Sequence, residues 1–320
     1  MGKIAIGCDI GGTNLRGALI REDGHIIKRQ SILSEADKGI DFVVKNLANL
    51  IQQTIKGDDI AGVGIGIPGI IDSSKGILTQ APNINNVNNY PLRDVLIEKI
   101  GESVPVFIEN DANCVAIGEW WVGAGKDVKS LIILTLGTGV GGGIILNGDL
   151  WNGADGMAGE IGHITIYPDG AKCNCGNFGC LESYASAGAI RRMVKQGLET
   201  DLETIIREKV KNTSKERIPE IVREAAMQED KFALWIWDEF GKALGIAIAN
   251  LVNLLNVEMV VIGGGLANAW ELFIDRAKKE AKKRGLRAPI KRVKIVKSVL
   301  GDDAGILGAG YLVFKEEGII

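Results

Sequence analysis

What this sequence lacks narrows its class before any motif is read. Although 46% of its 320 residues are hydrophobic, no window holds the roughly 18 uninterrupted apolar residues of a membrane span. The net charge of −3 offers no basic footprint for nucleic acid or an anionic membrane. The N-terminal residues enter a strand-like run at Lys3 without the apolar core of a secretory signal. No low-complexity stretch or disordered linker interrupts the chain. No G-x-x-x-x-G-K-[ST] run occurs, which excludes a P-loop. Histidine is scarce, with two residues, and cysteine numbers five. Cys8 and Cys114 lie in apolar contexts and read as buried free thiols. The expectation is a cytoplasmic protein with no nucleic-acid or membrane partner.

Glycine is abundant, with 43 residues, and it is clustered. At this length two lobes are the prior. The pattern reads strand, glycine turn, strand, turn, strand over Lys3–Ile10, Leu15–Ile20 and His25–Leu33. A helix is expected over Ile40–Ile55, a strand over Ile60–Ile67, a helix over Pro91–Ile100 and a strand over Val104–Ile108. Glu109-Asn110-Asp111 then resembles the N-cap of a helix running through Trp121. From Ser130 the pattern restarts, with Leu131–Leu136, a glycine turn and Gly143–Leu146. Helices follow over Ser183–Gly197, Leu202–Val210, Pro219–Met227 and Lys231–Asn256. A strand at Met259–Ile262, a helix, a strand at Val293–Val296 and a last helix from Ala304 to Phe314 close the chain. Such alternation argues for an α/β fold of two related lobes.

Three glycine runs could hold phosphate: Asp9-Ile10-Gly11-Gly12-Thr13, Leu136-Gly137-Thr138-Gly139 onward, and Gly263-Gly264-Gly265. Glycine lets backbone N–H groups approach an anion, and threonine adds a hydroxyl. The competing reading for each is a tight turn with no ligand. Two literal G-x-G-x-x-G matches, Gly137 to Gly142 and Gly64 to Gly69, are not dinucleotide fingerprints. The first is followed by a strand and the second carries Pro68 at its turn, whereas the fingerprint opens a helix.

Cys173, Cys175 and Cys180, with His163 ten residues before the first, are spaced for a closed tetrahedral zinc site of the structural kind. A disulfide with one thiol left over is the alternative, although Cys173 and Cys175 are too close to bridge easily. Glu160 and Glu182 flank the cluster. They read either as solvated surface charges or as pocket carboxylates.

Taken in order, Asp9-x-Gly-Gly-Thr13, Asn110-Asp111-x-Asn113, Leu136-Gly-Thr-Gly-Val140, Glu160-x-x-His163 and Cys173-x-Cys-Gly-x-x-Gly-Cys-x-Glu182 resemble the motifs of the ROK family (repressors, open reading frames, sugar kinases). The likeness covers essentially the whole chain and is closest to the bacterial and archaeal glucokinase branch. The cysteine motif is specific to the family, whereas the glycine turns are shared with the wider actin and hexokinase-like superfamily. The resemblance implies a two-lobed, actin/hexokinase-like (ribonuclease H-like) α/β fold with a ligand cleft between the lobes. Residues 1–109 would form a small lobe, completed by a C-terminal segment of about 298–320, and 110–297 a large lobe with the zinc motif.

The resemblance also implies ATP- and Mg²⁺-dependent phosphorylation of a hexose, glucose before N-acetylmannosamine, N-acetylglucosamine or fructose, and assembly as a homodimer or homotetramer. Asp111 would be the general base, its alternative role being to cap the helix. Gly69, Asn83, Asn110, Asp111, Glu160, His163 and Glu182 would contact the sugar. Asp9, Gly11, Gly12, Thr13, Gly137, Thr138, Gly264 and Gly265 would serve the nucleotide and its metal. His163, Cys173, Cys175 and Cys180 would hold structural Zn²⁺. In the run Asn83–Asn89 no tryptophan stands where many glucokinases carry one, which leaves sugar choice open. A sugar-sensing regulator of the same family is the other class. It would carry a DNA-binding segment before the first strand or lack a catalytic group, neither of which this sequence suggests.

Overall fold

The structure is a computed structural model that describes residues 2–320 apart from Lys56, Asp58 and Pro82. Its residues divide into two compact units. The first comprises residues 1–133, 143–159 and 298–320, the second 134–142 and 160–297.

In the first unit the elements run β1 (Ile4–Ile10), β2 (Asn14–Arg21), β3 (Ile26–Leu33), α1 (Ile40–Ile55), β4 (Val63–Ile67), β5 (Ile70–Asp72), β6 (Ile77–Gln80), α2 (Leu92–Ile100), β7 (Val106–Asn110) and α3 (Asp111–Trp121). Five strands make a sheet in the order β3-β2-β1-β4-β7. β1 to β3 are antiparallel, while β4 and β7 run parallel to β1. The apolar face of α1 is buried through Val43, Leu47, Leu50 and Ile51. Each such side chain contributes about 1.5–3 kcal/mol relative to exposure. Cys8 and Cys114 are fully buried and unpaired, as their apolar contexts predict. β5 and β6 form a short hairpin that three- and four-residue strands leave invisible to periodicity.

β8 (Leu131–Leu136), β9 (Val140–Leu146) and β10 (Asp149–Leu150) follow, and the division between units falls inside β8 and β9. The second unit continues with α4 (Ala187–Leu198), α5 (Ile206–Lys209), α6 (Ile218–Ala226), α7 (Lys231–Leu255), β11 (Met259–Gly263), α8 (Trp270–Arg284), α9 (Arg287–Arg292) and β12 (Lys294–Lys297). The second sheet has the order β10-β9-β8-β11-β12, with β11 and β12 parallel. Two helices, α4 and α5, start later than their sequences predict; a hydroxyl accepts near the start of each and is the N-cap of α4. Ser186 Oγ accepts from Ala189 N–H, and Thr204 Oγ1 from Ile206 N–H.

The last helix, α10 (Asp303–Glu316), returns to the first unit. It lies so close to β4 and α3 that side chains are excluded. A Cβ on Gly64 would stand 1.8 Å from Ala309 O, and one on Gly308 would stand 1.8 Å from Cys114 O. Buried Glu119, at the end of α3, accepts hydrogen bonds from the Ala124, Val299 and Leu300 N–H groups and from the Ser298 hydroxyl. These contacts tie the end of α3 to residues 298–300 of the same unit, which includes residues 110–133.

Candidate functional site

Parallel pairing lines up three strand ends in the first unit. Asp9 of β1 stands opposite Gly66 of β4, and Gly66 opposite Glu109 of β7. Ligands of α/β sheets gather beyond such carboxyl ends. Here the chain beyond them supplies the Gly11-Gly12-Thr13 turn, the Gly69 corner and the Asn110-Asp111 corner.

The Asn110-Asp111 corner decides between helix capping and chemistry. Asn110 is the N-cap of α3, its Oδ1 accepting from Ala112 N–H (2.9 Å) and Asn113 N–H (3.3 Å). Its Nδ2 donates to Gly69 O (3.2 Å). Asp111 is therefore the first helical residue rather than the cap, with one carboxylate oxygen accepting from Ala112 N–H (2.9 Å). Gly69 has φ 135°, and a Cβ there would meet Gln80 O at 2.1 Å. Only glycine fits that bend.

Asp9 is mostly buried, and its carboxyl is pushed up to about 6 by burial first and then by the charge of Asp111. Arg16 opposes the shift. Its Nη1 lies 3.8 Å from Asp9, while its Nη2 pairs with Asp302 at 2.9 Å. Arg16 is the cross-strand partner of Asp9 in the hairpin register, so its place could have been found by folding the hairpin on paper.

The glycines of the turns fall into two kinds. Gly12, Gly137 and Gly265 have ordinary φ values and open space where a Cβ would stand. Neither packing nor backbone strain demands glycine there, and its effect is to leave the backbone open to an approaching group, as a phosphate cradle needs. Gly139 and Gly264 are packed. A Cβ on Gly264 would meet Leu136 O at 2.4 Å, which seats the third glycine run against the end of β8. A Cβ on Gly139 would meet Glu182 Oε2 at 2.2 Å, and that oxygen accepts from Val140 N–H at 3.0 Å. Glu182 is thus a half-buried carboxylate that braces the second turn. The start of α4 leans on the same turn through Ala187 N–H to Gly137 O at 2.9 Å.

In the second unit His163, Cys173, Cys175 and Cys180 bring one ligand atom each to within 4.8 Å of one another. Cys173 Sγ to His163 Nδ1 is 3.7 Å, and Cys175 Sγ to Cys180 Sγ is 3.8 Å. A tetrahedral Zn²⁺ with ordinary bond lengths requires about 3.6 Å and about 3.8 Å for these pairs, so the donor set fits the ion. The sulfur separations are far from the ~2.05 Å of a disulfide, and all five cysteines are free. The Asn177 N–H holds the Cys175 thiol below its ordinary range, favouring the thiolate a metal takes. His163 Nε2 points the other way, 3.9 Å from exposed Glu160 Oε2.

Asn83 is exposed in the asparagine-rich loop. Much of that richness is turn chemistry. Asn86 and Asn89 have positive φ, and Asn85 Nδ2 donates to Asp37 O. Sequence reading named Glu109 and Asn113 only as members of motifs and did not single out Arg16, Asp302 or half-buried Asn152, whose partners lie far away in the chain.

Twin glycine–threonine hairpins, an acidic strand-to-helix corner and a three-cysteine, one-histidine knot are together the marks of one family of sugar-handling α/β proteins. The chain belongs to the ROK family, whose model matches residues 5–316. It is 37% identical over 313 residues to a glucokinase of Thermotoga maritima, covering 98% of each chain. The structure of a ROK family glucokinase from Streptomyces griseus in complex with glucose and AMPPNP matches with a TM-score of 0.81 at 32% identity, covering 97% of this chain and 98% of that one. A xylose repressor of Caldicellulosiruptor bescii is 35% identical over 320 residues, 97% of this chain and 78% of the repressor. The two-lobed, actin/hexokinase-like fold class is therefore that of this chain. Among the described residues no helix is long and apolar enough to cross a membrane.

Proposed function

We propose that this chain is a glucokinase, transferring the γ-phosphoryl group of ATP to the 6-hydroxyl of glucose. The observation that carries the reading is the division of labour at the corner. Asn110 caps α3, which leaves Asp111 at a strand end within electrostatic reach of Asp9. The names of the relatives support the substrate. Asp111 takes the proton of the sugar hydroxyl as its oxygen bonds to the γ-phosphorus. The bond from that phosphorus to the β,γ-bridging oxygen breaks, and its electron pair leaves with ADP.

Gly11, Gly12, Thr13, Gly137 and Thr138 would offer donors to the phosphates, with Gly264 and Gly265 on the nucleoside side. Mg²⁺ bound with the nucleotide would supply charge neutralisation, with Asp9 as the side chain assigned to it. Gly69, Asn83, Asn110, Glu160, His163 and Glu182 hold the hexose hydroxyls, for which carboxylates and amides are suited acceptors and donors. His163 would hold structural Zn²⁺ through Nδ1 with Cys173, Cys175 and Cys180, which would keep the proton on Nε2, the nitrogen that lies 3.9 Å from Glu160 Oε2, and fix the ring as a donor to the sugar. The subunits assemble as a homodimer or homotetramer.

The 35% identity to a xylose repressor favours one second reading, a sensor that binds sugar without turnover. A coupled assay with ATP and Mg²⁺ over glucose, fructose, N-acetylglucosamine, N-acetylmannosamine and xylose decides between them. Glucose is expected to give the highest kcat/KM. Turnover with none of the sugars would reject the kinase reading, and a higher kcat/KM for another hexose would reject glucose.

A further inference from the structure

Glu109 is 4% exposed, yet among the described residues no cation pairs with it. Of the other buried acids, Glu280 sits between Arg276 and Arg284, while Glu119 accepts from backbone N–H groups and a serine hydroxyl. Glu109 is held by neutral donors alone. Oε1 accepts from the Asn110 N–H (2.8 Å) and Asn113 Nδ2 (3.0 Å), while Oε2 accepts from Asn152 Nδ2 (3.1 Å) and Ser73 Oγ (3.3 Å). Both oxygens are thus doubly used, close to the full capacity of a carboxylate.

The donors come from three separate segments: the corner itself, the turn after β5, and the residues after β10. Asn113 Nδ2 also donates to Asn152 Oδ1 (3.2 Å). Asn113 is turned to serve this network at the cost of leaving its own buried Oδ1 without a partner, an arrangement that a merely space-filling amide would not keep. Ser73, Glu109 and Asn152 line a cavity of about 630 Å³. Open volume therefore backs the carboxylate, and hydrogen bonds rather than close packing hold it in place. Through the Asn110 N–H it fixes the residue that both caps α3 and reaches Gly69 O.

We propose that Glu109 is a positioning residue for phosphoryl transfer: its buried, counter-ion-free carboxylate locks the Asn110-Asp111 corner to Ser73 and Asn152 and so aims Asp111. The proposal rests on the reading of Asp111 as the base. Because misplacement of a reacting group by about 1 Å can cost on the order of a hundredfold in rate, the effect should appear in kcat rather than in nucleotide affinity.

The test compares the parent, Glu109→Gln, Asn152→Ala and Asp111→Asn as full-length chains. Glu109→Gln keeps the volume but turns one acceptor into a donor that faces donors. It should lower kcat with glucose by about tenfold or more, with KM for ATP within about twofold and circular dichroism like the parent's. Asn152→Ala removes one donor to Oε2 and should lower kcat by about threefold or more. A purely structural role would instead lower the thermal midpoint while leaving kcat per folded molecule intact. The proposal is overturned if both network variants keep kcat within about threefold of the parent. Should Glu109→Gln fail to fold, Asn152→Ala decides by the same threshold. Turnover by Asp111→Asn rejects the base reading, and with it the idea that Glu109 aims a base. An inactive Asp111→Asn beside active network variants rejects Glu109 alone.

Discussion

The hairpin between β1 and β2 and the hairpin between β8 and β9 have the same outline, strand, glycine, threonine, strand, but differ in their nearest carboxylate. At the first, Asp9 is buried beside the charge of Asp111 and is pushed up to about 6, with only a long Arg16 contact in relief. At the second, Glu182 accepts a backbone N–H of the turn itself, that of Val140. The first acid is electrostatically unsettled, the state in which a cation is most welcome. The second is hydrogen-bonded to the turn, and the cysteine–histidine knot ends two residues before it, at Cys180. A repeated turn therefore offers its backbone twice, with an unsettled acid beside the first and a hydrogen-bonded one beside the second.

Stripping the metal gives the largest expected break in that contrast. Replacing Cys175 by Ser, or exhaustive chelation, should raise KM for glucose by about 10–100-fold, the usual cost of disturbing a metal's supporting shell. KM for ATP should stay within about twofold, because the first hairpin contains none of the cysteine–histidine donors. Equal rises for both substrates, or purified protein with far less than one zinc per chain, would contradict the brace.

The glycines give the next effect. Gly12→Ala and Gly137→Ala enter open space and should leave the thermal midpoint nearly unchanged while raising KM for ATP by about tenfold. Gly139→Ala drives a methyl into Glu182 and should cost about 1–3 kcal/mol of stability, with glucose affinity falling too. A midpoint loss at Gly12→Ala as large as at Gly139→Ala would erase the distinction between open and packed turns.

The smallest effect is a gain. A carboxyl whose folded pKa is about 6, above its unfolded value near 4, binds its proton more tightly when folded. Its contribution to stability is full below about pH 4 and is lost as pH rises through about 6. Asp9→Asn should therefore be more stable than the parent by about 1–2 kcal/mol at pH 7–8 and indistinguishable from it near pH 4, while losing activity. Urea melts at both pH values check this, and equal differences at the two would refute it.

The sequence patterning predicted the outer strands of the first sheet, α1, α7 and α10 to within a few residues because they are long and strongly periodic. The cysteine–histidine cluster was equally plain, since four ligand side chains at short spacing have few other uses. What stayed hidden is nonlocal. Asn110-Asp111 looked like one cap, and only the geometry shows that Asn110 takes it. Ser73, Glu109 and Asn152 carry no local signal, because their hydrogen bonds span 36 and 43 residues. Gly64 and Gly308 serve the close crossing of α10 over β4 and α3, which no local pattern announces.

Measuring glucose binding and glucose phosphorylation side by side in the parent and in Asp111→Asn tests the central claim most directly. Glucose should bind the variant within about threefold of the parent, by calorimetry, while turnover falls by about a thousandfold or more. Turnover within about tenfold of the parent would contradict the assignment of Asp111 as the base.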